Sequence, residues 1–384
     1  MSFKLTEEQL MIQSMAREFA RKHVAKNADK ADKEKYFPIE NFKMMGELGL
    51  MGMMVPPEYG GGGADMMGYI LALSEIAYSC AATAVVMSVH NSIVCESILN
   101  FGNEDQKQKF LPLLSGAQII GAFALTEPHA GSDPVAQSTS AVKEGKFYVI
   151  NGNKRFITSG KNGGLVIVTA KTSPEDKHKG ISAFIVEKGT PGLEVGNIEN
   201  KMGLCGSDTS DLLFDNCKVP VENLLGNEGD GFKIAMTCLD CGRIGIAAQS
   251  VGVAQAALDA AIEYSKQREQ FGRKISKFQG LRWMIADMAT ELEAAKQLMY
   301  SAVTMKERGE KYTKQASMAK LYASEMVNRV TAKAIQIHGG YGFSKEYPVE
   351  RYYRDARVFT IYEGTSEIQR IVISNSVLQD KRAL

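Results

Sequence analysis

The stretch "GKFYVINGNKRFITSGKNGGLVIVTAK" (145–171) decides the class of fold. Its aromatic and β-branched residues come in short runs separated by Gly, Asn or Ser, which is typical of short β-strands. "GISAFIVEKG" (180–189) and "SDLLFDNCKVP" (210–220) continue the pattern, with no helical segment between them. Strands that follow one another in this way predict a compact antiparallel sheet or small barrel rather than a parallel, doubly wound sheet.

The segments on both sides of this β-region have helical periodicity. A capping box from Thr6 to Gln9 opens the chain, and apolar residues then recur at helical spacing. Beyond the β-region, long amphipathic stretches occupy 231–267, 278–308, 314–337 and 366–379. We therefore predict an α+β protein with an N-terminal α-helical domain (1–120), a middle antiparallel β-domain (121–230) and a C-terminal four-helix bundle (231–384).

The composition is that of a soluble globular protein. The 384 residues suffice for two or three domains. With 45 basic and 44 acidic residues, the formal net charge of +1 gives no reason to expect nucleic acid or an anionic membrane as a partner. No apolar run approaches the length of a membrane span, and the N-terminal "MSFKLTEEQL" is acidic where a signal peptide is apolar. We expect a cytoplasmic protein with no membrane span.

The six cysteines are scattered over the chain, which argues against a disulfide framework. "CLDC" (238–241) has the C-x-x-C spacing of metal and redox sites. However, no second pair or histidine cluster accompanies it, and it lies inside a helical segment. We therefore predict no metal site.

The stretch "FTIYEGTSEIQR" (359–370) places Glu363 after apolar and aromatic residues, against Gly364, and directly before a predicted helix start. The residues alone leave two interpretations open. Glu363 is either an ordinary solvated acid at the beginning of a helix or a base held in a dry pocket. A base of the second kind would suit removal of a weakly acidic proton, which requires a positioned proton acceptor.

Two further stretches carry candidate binding groups. "FALTEPHAGSD" (123–133) offers a turn whose backbone and hydroxyl groups can approach a phosphate, although strand-to-loop turns of this composition are common. "LDCGRIG" (239–245) places Asp240 and Arg243 on one helix face, where they form either a ligand-binding pair or a surface ion pair.

Taken together and in order, these strings resemble those of the acyl-CoA dehydrogenases, and of the short-chain (butyryl-CoA) branch in particular. The resemblance covers essentially the whole chain, and it is also carried by "NGNKRFITSG" (151–160), "YSKQREQFGRKISKFQ" (264–279), "QIHGGYGF" (336–343) and "YRDARVFTIYEGTSEIQR" (353–370). It implies an FAD enzyme of fatty-acid β-oxidation that removes the α-proton of an acyl-CoA and passes the β-hydrogen as hydride to flavin N5. The product is a trans-2-enoyl-CoA. The resemblance also implies electron-transfer flavoprotein as the electron acceptor and a homotetrameric assembly.

The same resemblance implies roles for individual residues. Glu363 is the catalytic base, and its backbone N–H binds the thioester carbonyl. The residues implied in FAD binding are Phe123, Leu125, Thr126, Gly131, Ser132, Phe156, Ile157, Thr158, Arg268, Phe271, Gln279, Gln336, Gly339, Gly340, Thr365 and Glu367. Those from Arg268 to Gly340 contact the FAD of a neighbouring subunit in this family. The residues implied in substrate binding are Ser132, Phe232, Asp240, Arg243 and Gly364.

The sequence departs from the family pattern at a few positions. Many relatives carry tryptophan where Phe156 stands, which bears on how the flavin is shielded. Some relatives place the catalytic glutamate at the position of Gly242, so here the base stays with Glu363. His338 replaces a residue that is often apolar, and we assign it no role.

The acyl group is the least determined part of the prediction. Glutaryl-CoA dehydrogenases use an arginine in the region matching 79–97, where this chain has neither Lys nor Arg. Burying an unpaired carboxylate is costly, so a neutral short chain (C4 to C6) is favoured. A branched, cyclic or dicarboxylic acyl-CoA is an alternative. An acyl-CoA oxidase, an enzyme working as a reductase and a non-enzymatic acyl-CoA-binding scaffold are the competing functions.

Overall fold

The computed structural model describes residues 4–379, and its N-terminal part is helical. The helices are α1 (Glu7–Phe19), α2 (Ala25–Glu34), α3 (Ile39–Glu47), α4 (Met66–Ser79), α5 (Ala81–Ser88), α6 (Glu96–Phe101) and α7 (Glu104–Ser115). The predicted capping box is present. Thr6 Oγ1 accepts from the Gln9 N–H, and Gln9 Oε1 accepts from the Thr6 N–H.

Two π-helical segments join these helices, Ala20–Val24 between α1 and α2 and Val89–Cys95 between α5 and α6. The second lies entirely in the core. Its His90 accepts from the Gly121 N–H through Nδ1 at 3.0 Å, which anchors the helix to the start of the β-region.

The middle part is an eight-stranded sheet. Its strands are β1 (Gly121–Ala124), β2 (Ser140–Glu144), β3 (Phe147–Thr158), β4 (Leu165–Lys171), β5 (Ile181–Glu187), β6 (Leu193–Ile198), β7 (Thr209–Pro220) and β8 (Leu224–Leu225). The strand order is β6-β7-β3-β2-β4-β5-β8, and β1 pairs with β4. The long pairs β3–β7 and β4–β5 are antiparallel, as predicted, whereas β1 runs parallel to β4.

The C-terminal part is again helical, with a small hairpin after its first helix. Its elements are α8 (Gly231–Gln267), β9 (Glu269–Gln270), β10 (Arg273–Lys274), α9 (Gln279–Glu307), α10 (Thr313–His338), α11 (Val349–Ala356) and α12 (Ser366–Gln379). The four predicted helices correspond to α8, α9, α10 and α12. The short α11 was not predicted, because eight residues are too few to show a clear helical period.

Two apolar cores hold the fold together. One joins the N-terminal and C-terminal helices, and the other lies within the β-region. The segment Ala81–Phe101 and helix α8 are long and apolar enough to cross a membrane, but 83% of each apolar window is buried inside the protein. Both are therefore explained as core helices.

Helix α11 links the three parts of the chain. Arg354 donates to both carboxylate oxygens of Asp32 in α2, at 2.9 and 2.6 Å, and to the Met202 carbonyl at 3.2 Å. Its neighbour Asp355 accepts from the Leu204 N–H at 2.6 Å. The α, β, α architecture is confirmed, while the domain limits at residues 120 and 230 stay a prediction.

Candidate active site

Glu363 lies in a turn between the 3-10 segment Arg357–Thr360 and helix α12. Both Glu363 and Gly364 have positive φ, at 51° and 90°. Positive φ is uncommon for a glutamate and indicates a turn that its surroundings hold in place. The aromatic approach to the turn is packed, since Phe359 is fully buried and its ring stacks on that of Tyr362 at 5.7 Å.

The carboxylate of Glu363 is in a dry environment. Both of its oxygens are shielded from solvent and have no hydrogen-bond partner among residues 4–379, although the residue as a whole is half-buried. Burial raises the pKa of Glu363 from 4.5 to about 7, and the positive charges of Lys320 and Arg243 oppose that rise. The interpretation as a solvated acid at a helix start is therefore wrong for this carboxyl group.

Gly242 in α8 makes room for this carboxylate. A Cβ atom at Gly242 would lie 2.2 Å from Glu363 Oε2, which is well inside contact distance. The carboxylate thus packs directly against the backbone of α8. The absence of a side chain at Gly242 is what permits Glu363 to occupy its position.

Asp240 and Arg243 form a close ion pair on α8, with 2.5 Å between Asp240 Oδ1 and Arg243 Nη1. Thr313 donates to the other Asp240 oxygen at 2.6 Å. The pair is not the ordinary surface ion pair considered above, because Arg243 is only 6% exposed and burial raises the pKa of Asp240. Phe232, near the start of α8, lies with its ring 5.8 Å from that of His178.

The two predicted flavin-binding strings of the β-region lie side by side. Phe123 is in β1, and Leu125 and Thr126 follow directly after that strand. The Arg155 N–H donates to the Thr126 carbonyl at 2.8 Å, and the buried Lys154 Nζ donates to the Leu125 carbonyl at 3.0 Å. The loop after β1 is thereby fixed to β3, just before Phe156.

A bulge in β3 turns Phe156 outward. The register between β3 and β7 shifts between Lys154 and Ile157, and Phe156 has φ 59° and is 56% exposed. Ile157 points the other way and is buried in the β-core at 2% exposure. A ligand on the Phe156 side of the sheet can therefore be contacted only by the backbone of Ile157 and not by its side chain. Thr158, at the end of β3, is half-buried.

Gly131 and Ser132 lie in the exposed turn after the β1 loop. A Cβ atom at Gly131 would have nothing within 4 Å, so the space beside its backbone is open. An open glycine-serine turn of this kind is accessible to a phosphate group.

Five of the residues assigned to a neighbouring subunit's FAD line one open cleft of about 760 Å³, which we call the C-terminal cleft. They are Arg268, Phe271, Gln336, Gly339 and Gly340. The sixth, Gln279, begins helix α9 and is exposed beside Phe278, which also lines the cleft.

The aromatic side chains of this cleft show two different environments. Phe271 is 93% exposed, and such an exposed ring is a candidate contact for a ligand or another chain. His338 is buried and stacks on Tyr264 at 4.3 Å between ring centroids, which explains this histidine by packing.

Thr365 and Glu367 stand at the beginning of α12. Thr365 Oγ1 accepts from the Ile368 N–H at 3.3 Å and so caps the helix. The Glu367 side chain is 77% exposed, with one oxygen 3.7 Å from Arg370. The Glu367 side chain is therefore accessible to a ligand from the solvent side, whereas Thr365 is half-buried beside it.

Lys320 and Gln369 are two residues of this site that the sequence analysis missed. Lys320 Nζ donates to the Gly364 carbonyl at 2.7 Å, and Gln369 Nε2 donates to the same carbonyl at 3.0 Å. A signal for Lys320 was available in the sequence, because it interrupts a face of α10 that is otherwise made of small residues such as Ala316, Ser317 and Ala323.

The cysteines of "CLDC" are free thiols, and both are buried. Cys238 Sγ accepts from Ser97 Oγ, and Cys241 Sγ accepts from Lys306 Nζ. Over residues 4–379 the structure holds no cluster of three or more potential metal ligands.

Family models match nearly all of the chain in the order N-terminal, middle and C-terminal domain of acyl-CoA dehydrogenase, at residues 6–117, 122–217 and 229–378. The chain belongs to the acyl-CoA dehydrogenase family. It is therefore an enzyme of the FAD-dependent acyl-CoA dehydrogenase type, with the fold of that family.

Among the curated relatives of this acyl-CoA dehydrogenase is the acyl-CoA dehydrogenase of Bacillus subtilis, which is 52% identical over 97% of this chain and 99% of its own length. The short-chain specific acyl-CoA dehydrogenase of Clostridium acetobutylicum is 49% identical over 99% of this chain and 100% of its own. A caffeyl-CoA reductase–Etf complex subunit of Acetobacterium woodii is 47% identical over 97% of this chain and 99% of its own.

Solved structures of the family agree closely with this acyl-CoA dehydrogenase. Butyryl-CoA dehydrogenase from Megasphaera elsdenii superposes with a TM-score of 0.97 at 45% identity, covering 99% of this chain and 100% of the other. A chain from the structure of the electron transferring flavoprotein of Acidaminococcus fermentans gives a TM-score of 0.98 at 50% identity, with the same coverage.

Proposed function

We propose that the enzyme dehydrogenates a short-chain acyl-CoA to the trans-2-enoyl-CoA, with Glu363 as the base that removes the α-proton. The observation that carries this proposal is the dry, unpartnered carboxylate of Glu363 against Gly242. Since burial raises its pKa to about 7, this carboxylate is a much stronger base than a solvated glutamate. The neighbouring Lys320 and Arg243 favour its charged form, so it remains available as a base near neutral pH.

The substrate carbonyl needs a hydrogen-bond donor while the α-proton leaves, because negative charge develops on its oxygen. We assign this role to the backbone N–H of Glu363. Gly364 would allow the thioester to approach the turn closely, since it carries no side chain. Asp240 and Arg243, which flank Gly242 on α8, would hold the pantetheine and adenosine part of the CoA, with Phe232 and Ser132 beside it.

The residues of the β-region fit a flavin. Phe156 exposes an apolar ring next to the fixed β1 loop, and the open Gly131–Ser132 turn offers room for a pyrophosphate. We therefore assign Phe123, Leu125, Thr126, Gly131, Ser132, Phe156, the Ile157 backbone, Thr158, Thr365 and Glu367 to FAD. FAD, when bound there, would supply the acceptor for the β-hydrogen of the substrate, which would leave as hydride.

The C-terminal cleft fits a second contact with FAD, from a neighbouring subunit. Arg268 presents a guanidinium fork suited to a pyrophosphate, and Gly339, with φ 61°, leaves the backbone accessible. We assign the same contact with a neighbouring subunit's FAD to Phe271, Gln279, Gln336 and Gly340. Because these groups face outward from this chain, we propose a homo-oligomer, and by family resemblance a homotetramer. The cytoplasmic location stays a prediction.

A neutral short acyl group is the proposed substrate. The short-chain relatives support this choice. The segment 79–97, which is predominantly buried, also contains no Lys or Arg to pair with a second carboxylate. Branched and cyclic short acyl groups remain in the test below.

Electron-transfer flavoprotein is the proposed electron acceptor. Its support is the similarity to a chain from an electron transferring flavoprotein structure and to a reductase–Etf complex subunit. That second relative also favours a reductase direction as the alternative, since the same residues would serve reduction of an enoyl-CoA by the reverse steps.

An acyl-CoA panel tests the proposal. Purified holoenzyme is mixed with butyryl-, isobutyryl-, glutaryl-, octanoyl- and cyclohexanoyl-CoA and an artificial electron acceptor. Butyryl-CoA should give the highest kcat/KM, and Glu363→Gln should lower it by about 10²- to 10⁴-fold, which is the usual contribution of a general base. Glu144→Gln, at an exposed glutamate of β2 that has no part in the proposed site, serves as the matched control for the loss of one carboxylate.

Several outcomes would contradict parts of the proposal. Full turnover by Glu363→Gln would remove Glu363 from the mechanism. Preference for glutaryl-CoA would overturn the neutral substrate. Equal product formation with oxygen as the sole acceptor would indicate an oxidase, and a preparation that takes up no FAD would indicate a binding scaffold.

A further inference from the structure

Lys320 occupies a position where a charged side chain is rarely found. It lies on the inner face of α10, among Ala316, Ala319 and Ala323, and is fully buried. A lysine is almost never fully buried unless its ammonium group is paired, because removing the charge from water is costly. Its surroundings therefore have to compensate for that cost.

The partner of Lys320 is the turn that carries Glu363. Lys320 Nζ donates to the Gly364 carbonyl at 2.7 Å. Gln369 Nε2 donates to the carbonyls of Glu363 and Gly364 at 3.2 and 3.0 Å. Two buried side chains thus hold a backbone turn that has positive φ at both residues. A turn fixed in this way presents the Glu363 carboxylate in one orientation.

Lys320 also contributes charge to the site. The charged groups that act on the Glu363 carboxylate are Lys320 from α10 and Arg243 from α8. Three further titratable side chains interact electrostatically with Glu363, namely Tyr69 in α4, Cys241 in α8 and the adjacent Tyr362. Burial raises the pKa of each of them, so they stay neutral near pH 7.

The charge of Arg243 is already paired with Asp240 at 2.5 Å. Lys320, by contrast, has no carboxylate within ion-pair distance over residues 4–379, and its hydrogen bond goes to a neutral carbonyl. Glu363, Glu325 and Glu367 act on it from farther away, and Arg243 repels it. Burial lowers the pKa of Lys320 to about 8, which leaves it protonated at neutral pH.

We propose that Lys320 is a positioning residue for proton abstraction, which fixes the Glu363–Gly364 turn through the Gly364 carbonyl and supplies a positive charge that favours the ionised form of Glu363. This inference rests on the proposed function of Glu363 as the base. Lys320 touches neither substrate nor cofactor in this role. It acts through the geometry and the charge of Glu363.

The test uses a 3-thia-acyl-CoA, whose α-proton can be removed but whose β-position is sulfur, so no hydride can leave. An enolate of this thioester next to oxidised FAD gives a long-wavelength absorbance, and its pH dependence reports proton abstraction alone. The variants are Lys320→Met, Lys320→Gln and Lys320→Arg. Lys333→Met, on the same helix but paired with Glu291 near the surface, is the matched control.

Loss of the positive charge should move the pH midpoint of this absorbance upward by about one pH unit in Lys320→Met and Lys320→Gln. Lys320→Arg and Lys333→Met should keep the midpoint of the unaltered enzyme. Lys320→Gln, which can still donate to Gly364, should retain more kcat than Lys320→Met.

An unchanged midpoint in both neutral variants, with flavin content and circular dichroism retained, would overturn the role of Lys320. If Lys320→Met fails to fold, Lys320→Gln and Lys320→Arg still decide the question. If the unaltered enzyme shows no long-wavelength absorbance with any 3-thia-acyl-CoA, the result would instead contradict the proposed function of Glu363 and would say nothing against Lys320 in particular.

Discussion

At the scale of single residues, Glu363 shows why a good base is costly to the fold. Its carboxylate oxygens are buried without a hydrogen-bond partner among the described residues. Burial disfavours the charged form, which is the reason its pKa rises to about 7. The same property that makes Glu363 a strong base therefore makes its ionised form destabilising to the folded protein.

This cost should appear as a pH dependence of stability. The folded pKa of Glu363 lies above its unfolded value of 4.5, so the folded state binds the proton more tightly. Its contribution is therefore favourable at low pH and is lost between about pH 4.5 and pH 7, by at most about 3 kcal/mol. In thermal unfolding, the Tm of Glu363→Gln relative to the unaltered protein should rise from pH 5 to pH 8. If the difference in Tm stays constant from pH 5 to pH 8, burial does not raise the pKa of Glu363 in the folded protein.

At the scale of elements, two glycines of α8, Gly242 and Gly252, are required for different reasons. A Cβ atom at Gly242 would meet the far end of a flexible side chain, the Glu363 carboxylate, at 2.2 Å. A Cβ atom at Gly252 would meet the Ser74 carbonyl in α4, also at 2.2 Å. The first contact can be relieved by moving one side chain, whereas the second requires two packed helices to separate.

Gly242→Ala should therefore affect catalysis, and Gly252→Ala should affect stability. Displacing the base by about 1 Å is expected to lower kcat/KM by about 10²-fold while Tm changes little. Gly252→Ala should lower the free energy of unfolding by about 1 to 3 kcal/mol through overpacking and leave kcat/KM of the folded fraction nearly unchanged. Steady-state kinetics and thermal unfolding of both variants check this. Equal effects of the two substitutions on both quantities would argue against the packing of Glu363 on Gly242.

The elements themselves were largely predictable from the sequence. The long helices α8, α9, α10 and α12 have a clear helical period, and the strands of the sheet are enriched in β-branched and aromatic residues. The parallel pairing of β1 with β4 was not predictable, because pairing between distant strands leaves no local pattern. The π-helical segments were missed for a related reason, since one extra residue in a helix hardly alters its period.

The site was predictable as a set of residues but not as an arrangement. Glu363 and Arg243 stand in recognisable strings, whereas their burial depends on helices from opposite ends of the chain. Lys320 would have been noticed only as a lysine on a helix face of mostly small residues. Its contact with Gly364 joins residues 44 positions apart and follows from tertiary packing alone.

At the scale of the whole molecule, Arg354 connects parts of the chain that are distant in sequence. It contacts Asp32 of α2, Glu350 of its own helix and the Met202 carbonyl of the loop after β6. The Arg354 and Asp32 side chains are 20% and 9% exposed. An ion pair this poorly solvated is costly to break by removing one partner, because the other charge is left behind.

Arg354→Met should lower the free energy of unfolding by roughly 3 kcal/mol. Amide hydrogen exchange should also speed up in the segments around Asp32 and Met202. Arg308→Met is the control, since its 59% exposed side chain lies 3.9 Å from Glu310 and should change stability by no more than about 0.5 kcal/mol. Chemical unfolding together with exchange measurements tests this. Equal stabilities of the two variants would mean that Arg354 does not couple the three parts of the chain.

The C-terminal cleft has a consequence for how the protein is made. Phe271 at the cleft and Phe343 nearby are 93% and 90% exposed on the isolated chain. Large aromatic rings exposed to solvent promote association with other chains and aggregation. If a second chain and FAD cover these rings, as the proposed homo-oligomer requires, a newly synthesised chain passes through a period in which it is folded but still prone to aggregate. The yield of soluble protein then depends on how quickly assembly follows synthesis, so slow expression with ample riboflavin favours recovery of intact enzyme.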